Sequence, residues 1–365
     1  LSAKRVNTLD DILKASASPW MDGSGSSSDV VISSRVRLAR NLADTPFPHL
    51  LGDKDADAVL GKIFDCADKI GERGFGGPVF KVVLDDLMPL DRQVLVEKHL
   101  ISPQQAESGH GKGLILRHDE LVSIMVNEED HLRLQCLKSG LELDEAWILA
   151  NGIDDLLSEF LELAYDERLG YLTACPTNVG TGLRASVMVH LRALALTNEV
   201  SRVLNAVNRV GLVVRGLYGE GTEGQGDVFQ ISNQITLGHT EKEIIENLVL
   251  VANQVVTEEK RVQDALLKNH RLEVEDRVFR ALGVLSNARS ISSAEAIKFW
   301  SDLRLGVEFG MISGLTLKDV NEILVMSRPN FVQKVFSAEF SPGERDVRRA
   351  YLIREHISGK MSQGD

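Results

Sequence analysis

Apolar residues recur along the chain in two rhythms, and the rhythm changes near residue 240. From Val30 to about Leu237 short apolar runs of strand length stand at 80–84, 121–126, 212–217 and 228–235, with helical stretches between some of them. The segment 131–137 alternates His131, Arg133 and Gln135 with Leu132, Leu134 and Cys136, so a strand there carries the three polar groups on one face. Two of these runs meet across Asn127 to Asp130 and read as an antiparallel pair. The mixed order of strands and helices predicts an α+β, antiparallel-sheet fold rather than a repeated βαβ pattern. Beyond Thr240 the period lengthens: Ile244, Ile245, Leu248, Val251, Val255 and Val256 follow at helical spacing behind the capping pair Thr240 and Glu243. Further helix starts stand at Ser292 with Glu295, at Thr316 with Asp319, and at Ser341 with Glu344, where Pro342 takes the first helical position. The expected organisation is a flexible, Gly- and Ser-rich lead-in over 1–29, an α+β domain flanked by helices over 30–240 and an all-helical domain over 241–365.

Composition narrows the picture. A chain of 365 residues with 43% hydrophobic and 26% charged residues supports two packed domains and excludes disorder over most of its length. The balance of 41 basic and 53 acidic side chains gives a net charge of −12, which opposes direct adhesion to nucleic acid or an anionic membrane. The three cysteines, Cys66, Cys136 and Cys175, have neither CxxC spacing nor a disulfide framework, which fits a reducing cytoplasm. No stretch approaches the ~20 apolar residues of a membrane span, and the first residues lack the apolar core of a signal peptide. The missing initiator Met implies a processed or trimmed amino terminus.

Four segments bear chemistry. In Ser33-Ser34-Arg35-Val36-Arg37, strand periodicity places Arg35 and Arg37 on one side, where two planar guanidinium forks suit phosphate oxygens; a solvated strand edge is the plain alternative. Asn127-Glu128-Glu129-Asp130 is a carboxylate turn running into the face that bears Arg133, and solvated turn residues would read the same way. Cys175-Pro176-Thr177-Asn178-Val179-Gly180-Thr181-Gly182-Leu183-Arg184 is a turn that leads into an expected helix over 185–196. The free N–H groups of that helix start would accept phosphate and lower the pKa of Cys175, unless Cys175 is an inert buried residue. Arg215-Gly216-Leu217-Tyr218-Gly219-Glu220 ends an apolar strand in a Gly-rich loop with one basic and one acidic group.

Taken together and in this order, these segments resemble the marks of the phosphagen (guanidino) kinase superfamily: SxRxR, NEEDHLR, CPTNxGTxxR and RGxxGE. Within it the chain is most similar to the bacterial protein-arginine kinases. Only 32 residues precede Ser33, too few for the amino-terminal helical domain of arginine and creatine kinases, and a helical region follows the motifs. That region holds Arg345-Asp346-Val347-Arg348-Arg349-Ala350, similar to the RDxxRA motif through which those kinases bind phosphoarginine as an allosteric signal. The second arginine of the small-substrate loop is absent at Tyr218, as in the protein-arginine kinases, and Arg192 stands where related kinases have proline; no function is assigned to it.

The resemblance implies ATP and Mg2+ as cofactors. It implies nucleotide contacts from Ser33, Ser34, Arg35, Val36, Arg37, His99 and Arg133, from Arg184, Ala185, Ser186, Val187 and Met188, and from Arg215, Gly216, Leu217, Tyr218 and Gly219. Glu129 and Glu220 match the catalytic glutamates and Cys175 the reactive cysteine, while no dedicated metal-ligand cluster is visible. Arg345, Asp346, Arg348, Arg349 and Ala350 would form the phosphoarginine site, Arg345 and Arg349 being four apart on a helix and able to face one anion. The implied partners are proteins with exposed arginines, the Clp unfoldase and protease system, a heat-shock repressor and a second copy of the chain, in the cytoplasm and in the stress response; whether an activator protein takes part stays open. A kinase for free arginine and a catalytically silent phosphoarginine-binding adaptor are the alternative readings.

Overall fold

A computed structural model describes residues 8–216 and 224–362. Ten strands form: β1 (Val31–Arg40), β2 (Val79–Val83), β3 (Gly113–Arg117), β4 (Val122–Val126), β5 (Leu132–Ser139), β6 (Tyr165–Asp166), β7 (Gly170–Tyr171), β8 (Leu183–His190), β9 (Leu212–Gly216) and β10 (Val228–Asn233). Eight of them make one antiparallel sheet in the order β2-β3-β4-β5-β1-β8-β10-β9, and β6 pairs only with β7. In β1 the side chains of Val36 and Leu38 are fully buried, and Arg35 and Arg37, which alternate with them, point to the other face. The apolar face is covered by α2 (Asp53–Phe75) and α4 (Leu143–Phe160) on one half, and by α6 (Val200–Arg209) and α7 (Glu241–Asn269) on the other. Arg40, one step out of register with Arg35 and Arg37, lies on this helical side and makes a buried ion pair with Asp154 of α4 at 2.7 Å.

The remaining helices are α1 (Leu9–Lys14), α3 (Pro89–Glu97), the short α5 (Arg192–Leu196), and α8 (Arg271–Asn287), α9 (Ser293–Glu308), α10 (Leu317–Met326), α11 (Pro329–Phe336) and α12 (Pro342–Met361). Thr240, Thr316 and Ser341 form the capping boxes expected of them, and Ser292 caps α9 through the Glu295 amide.

Two expectations fail. Residues 185–196 are not one helix: Leu183–His190 is β8, inserted between β1 and β10, and only Arg192–Leu196 is helical. Ala185, Val187 and Val189 alternate into the core at 0% exposure, and pairing on both sides outweighs the helix-forming residues of the segment. Nor is the lead-in a loose segment from Thr8 onward. Ile12, Leu13, Trp20 and Met21 are buried, and Gly25 lies so close to the Ser139 carbonyl that a Cβ would stand 1.9 Å from its oxygen. The glycine is there for close approach rather than freedom.

A buried polar cluster joins the sheet to the helices that follow it. Arg304 of α9 donates to the carbonyls of Ser28 (2.7 Å) and Asp29 (2.8 Å), to Nδ1 of His190 (3.1 Å) and to Glu308. His190 therefore carries its proton on Nε2, which donates to Ser301 Oγ at 2.9 Å, and Ser301 donates to Asp227 at 2.9 Å. Arg192 binds Asp227 at 2.8 Å and Asp302 at 2.6 Å, which gives this arginine a place in the same seam. Removing one partner of a buried charge pair costs roughly 3–5 kcal/mol. Arg304→Met is expected to lower the unfolding free energy by about that much in urea titrations; a loss below about 1 kcal/mol would place the cluster with exposed ion pairs.

Candidate active site

The polar face of the sheet is built by register. Arg37 stands opposite Gln135 on β5 and opposite Arg184 on β8, Arg35 opposite Ser186, and Arg133 opposite Ala39. Across the next strands Gln230 lies opposite both Met188 and Arg215. Paired residues of an antiparallel ladder share a face, so one surface collects Arg35, Arg37, Arg133, Arg184 and Arg215. They line a cleft of about 610 Å³ together with His99, Ser102 and Gly216.

Neighbouring side chains hold several of these groups. Arg35 donates to Gln230 Oε1 at 2.7 Å and to Ser186 Oγ at 3.3 Å. Arg133 donates to Glu128, which also accepts from Ser102. Burial alone would raise the Glu128 carboxyl, but the Arg133 charge and these hydrogen bonds outweigh it and hold it below the ordinary value of 4.5. Burial, followed by repulsion from Arg35, Arg133 and Arg184, pushes Arg37 well below its usual value. Arg184 is lowered by burial and then by Arg215 and Arg133, while Cys175 and Glu129 attract it in partial compensation. Among the described residues, Nε of Arg37 and Nε of Arg184 are buried without a hydrogen-bond acceptor. A polyphosphate fits such a cleft, because it supplies oxygens for orphaned donors and negative charge for a repelling cluster.

The carboxylate turn sits at one end of the cleft, and its three acids differ. Glu128 is committed to Arg133. Asp130 accepts from the Asn41 side chain (2.6 Å) and the Ala174 amide (2.7 Å), which ties the turn to the Cys175 segment. Glu129 makes no side-chain hydrogen bond among the described residues, and burial, then the Asp130 charge, raises it above 4.5. Cys175 is half-buried, with Sγ 3.0 Å from Thr177 Oγ1.

His99 lies at the other end. It ends α3 in the left-handed region at φ 60°, packs edge-on against Trp20 with centroids 5.6 Å apart, and is pushed down to about 3 by burial and then by Arg35 and Arg328. It is therefore neutral near pH 7. The amino-terminal segment supports it further, since buried Lys98 donates to Ile12 O at 2.7 Å and pairs with Glu120 at 2.9 Å.

Other expected residues are elsewhere. Ser34, Val36, Ala185 and Val187 point to the opposite face at 0% exposure; Ser34 Oγ donates to Gly140 O at 2.8 Å and accepts from Glu142 N at 2.9 Å. Ser33, Ser186 and Met188 line a small void behind Arg35 rather than the cleft. His131 is not on the face of Arg133: it precedes β5, accepts from Leu42 N at 3.0 Å and bonds Pro46 O at 2.9 Å. Because Leu183–His190 is a strand, no α-helix starts behind Cys175 among the described residues; it precedes only a three-residue 3-10 turn, Pro176–Asn178, to whose amides its side chain makes no hydrogen bond. Leu217, Tyr218, Gly219 and Glu220 lie outside the described residues.

On α12, Arg349 is buried and donates to Ser327 O and Ile291 O, both at 2.8 Å, and to Asp346, so most of its donors are engaged inside the protein. Arg345 reaches Phe340 O at 3.4 Å, exposed Arg348 lies over the rings of Phe336 and Phe340, and Ala350 is buried. Sequence reasoning missed Gln230, Ser102 and Arg328. Gln230 sits in an apolar strand and was legible only by its period; Ser102 and Arg328 had no local signal.

Residues 76–262 match the family described as ATP:guanido phosphotransferase, C-terminal catalytic domain, and residues 271–364 match the Protein-arginine kinase McsB C-terminal domain. The chain is 51% identical over 352 residues to the protein-arginine kinase of Pelotomaculum thermopropionicum, covering 96% of this chain and 99% of that one. It is 51% identical over 349 residues to that of Symbiobacterium thermophilum, covering 96% and 99%. Among solved structures it is similar to a lombricine kinase, with a TM-score of 0.53 and 23% identity over 70% of this chain and 78% of that one, a likeness of fold.

The raised Glu129 carboxyl is expected to titrate above 4.5 in an NMR pH titration of labelled side-chain carboxyls. Asp130→Asn removes a like charge while keeping an acceptor for Ala174, so it should move that titration down; an unmoved midpoint would leave burial as the sole cause.

Proposed function

The chain belongs to the protein-arginine kinase family, and on that premise we propose that it transfers the γ-phosphoryl group of ATP to the guanidinium of arginine side chains in proteins. The observation that carries the reading is the convergence of five arginines on one sheet face, with Glu129 at its edge and Cys175 beside Arg184. Arg35, Arg37, Arg133, Arg184 and Arg215 would hold the phosphates and offset charge as the phosphoryl moves. Magnesium would arrive with the nucleotide and draw electrons from the transferring group; among the described residues no cluster of acids is grouped to hold such an ion, which needs few protein ligands.

A guanidinium keeps its proton until above about pH 12 and cannot attack while it does. Glu129, raised and without a hydrogen bond, is suited to take that proton. The freed nitrogen lone pair forms the N–P bond as the bond between phosphorus and the β-phosphate oxygen breaks, leaving phosphoarginine and ADP. Glu220 is assigned the second carboxylate role by resemblance, and Cys175 that of holding the guanidinium. A separate cavity of about 470 Å³ opens on the other side of Glu128 and Glu129, with Asp53 and Glu107 on its walls, a charge complement for a cationic side chain presented from outside.

We carry the remaining expectations as proposals: phosphoarginine binding by the Arg345 to Ala350 motif as an allosteric signal, marks read by the Clp system, a heat-shock repressor among the substrates, and work in the cytoplasm. Homodimerisation through the helical region is supported by Leu272 (78% exposed) and Phe279 (52% exposed), two turns apart on α8. No helix among the described residues is long and apolar enough to cross a membrane.

Labelled ATP is expected to give acid-labile label on an arginine-rich protein and little on free arginine. Label mainly on free arginine would replace this reading with a small-substrate kinase, and label on neither would point to a binding adaptor or to a missing activator protein. Glu129→Gln should lower transfer at least about a hundredfold, within the usual range for a general base, while ATP binding by calorimetry persists; retained transfer would remove Glu129 from the chemistry.

A further inference from the structure

The wall of the cleft beside His99 is completed by a residue from the helical part of the chain. Arg328 immediately precedes Pro329, the first residue of α11, and is extended at φ −79°, ψ 137°, as a residue before proline must be. It is 9% exposed and lines the same cleft as the five arginines of the sheet. Its backbone position is fixed from three sides. Its own amide donates to Val325 O at 3.0 Å, and the preceding carbonyl, of Ser327, accepts from Arg349 Nε at 2.8 Å. The start of α11 is held on the catalytic side by Glu97, whose carboxylate accepts from the amides of Asn330 (3.0 Å) and Phe331 (2.8 Å) and from the Asn330 side chain (2.8 Å). Only Lys98 separates Glu97 from His99, so one junction sets both the histidine and the arginine. Lys334 of α11 locks it further by pairing with Asp91 of α3 at 2.6 Å.

Burial raises the Glu97 carboxyl and Arg328 lies near enough to offset part of that rise, but six guanidinium groups line this cleft and one carboxylate does not neutralise them. An apolar side chain would seal this wall at lower cost. The arrangement makes sense if an anion neutralises the set. We infer that Arg328 is a nucleotide-binding residue, supplied by the helical region to the ATP cleft at its His99 end, so that nucleotide binding and the docking of α11 on α3 are linked. The inference rests on ATP occupying this cleft. A ligand that contacts both parts binds the docked arrangement better and stabilises it by that difference.

Binding of a non-hydrolysable ATP analogue to the full chain, measured by calorimetry, tests it with Arg328→Gln, Arg328→Lys and, as a reference for the cleft, Arg35→Gln. Arg328→Gln is expected to weaken binding about tenfold and Arg328→Lys to recover part of the loss, in keeping with a charged contact. The wild-type chain supplies a second readout that needs no variant: the analogue should slow amide hydrogen exchange in peptides from 329–336. Wild-type affinity in Arg328→Gln together with unchanged exchange over 329–336 would overturn the inference, provided that Arg35→Gln has lost binding. If Arg35→Gln also binds normally, the nucleotide reading of the cleft falls with it. Should Arg328→Gln fail to fold, unchanged exchange in the wild-type chain overturns the inference by itself.

Discussion

The site depends on holding like charges together. Five guanidinium groups share one sheet face, and two unit charges about 7 Å apart repel by roughly 2 kcal/mol at an effective dielectric near 20. The hydrogen bonds of Arg35 to Gln230 and of Arg133 to Glu128 offset only part of that repulsion. The opposing force comes from the other side of the same strands, where Val36, Leu38, Ala185 and Val187 are fully buried beneath helices. Each large aliphatic side chain removed from water contributes about 1.5–3 kcal/mol. Because a strand cannot turn one residue without turning the next, burying the apolar set forces the arginines to face one another. Pairing with Arg35 and Arg37 on neighbouring strands is therefore a consequence of core register, and the anion that enters the cleft relieves a strain that the core imposes.

The helices after the sheet are part of this constraint rather than an appendage. The chain folds back so that Arg304 of α9 binds the carbonyls of residues 28 and 29 just before β1, while Arg192 and Ser301 hold Asp227 just before β10. These are the strands that carry Arg35 and Gln230. Gly226 beside Asp227 lies so close to α9 that a Cβ would stand 2.6 Å from a methyl of Ile297. Movement of α9 would thus be felt at the start of β10, and movement of α11 at His99. The helical region touches the cleft at its His99 end, through Arg328 and Pro329.

Much of this was legible along the chain, for a physical reason that also marks the limit. Alternation in β1 and β5 and the capping pairs at Thr240, Thr316 and Ser341 are local, and each gave the element it predicted. The segment 185–196 has strong helix formers, yet its first half is the strand beside β1, a fact written in β1 and β10 rather than in itself. The glycines at 23 and 25 look like those of a flexible segment, but Gly23 turns at φ 75° beside Leu317 and Gly25 runs against the Ser139 carbonyl. Of the expected nucleotide residues, those with side chains on the apolar face came from contiguous motif runs, whereas a strand offers only every second side chain to a ligand. Arg328 is over a hundred residues from the nearest sheet arginine in sequence, and only the docking of α11 brings it to the cleft.

The carboxylate turn shows why a cluster of acids is not one unit. Three consecutive acids with ordinary values would carry three charges in a small volume and repel the electrons of any nucleophile brought near them. The fold separates them instead. Glu128 is drawn down by Arg133 and Ser102 and remains ionised, so it keeps the Arg133 fork aimed at the cleft. Asp130 is raised by burial but accepts two hydrogen bonds, and so it acts as the tie between the end of β1 and the Cys175 turn. Glu129 alone is raised and left without a donor, and its affinity for a proton is increased by the same Asp130 that fixes the cysteine. Neighbouring carboxyls whose environments push their affinities apart are the usual mark of divided acid and base roles. Here the division follows from which of three adjacent side chains meets an arginine, which meets amides and which is left facing the neighbouring cavity with no hydrogen bond among the described residues.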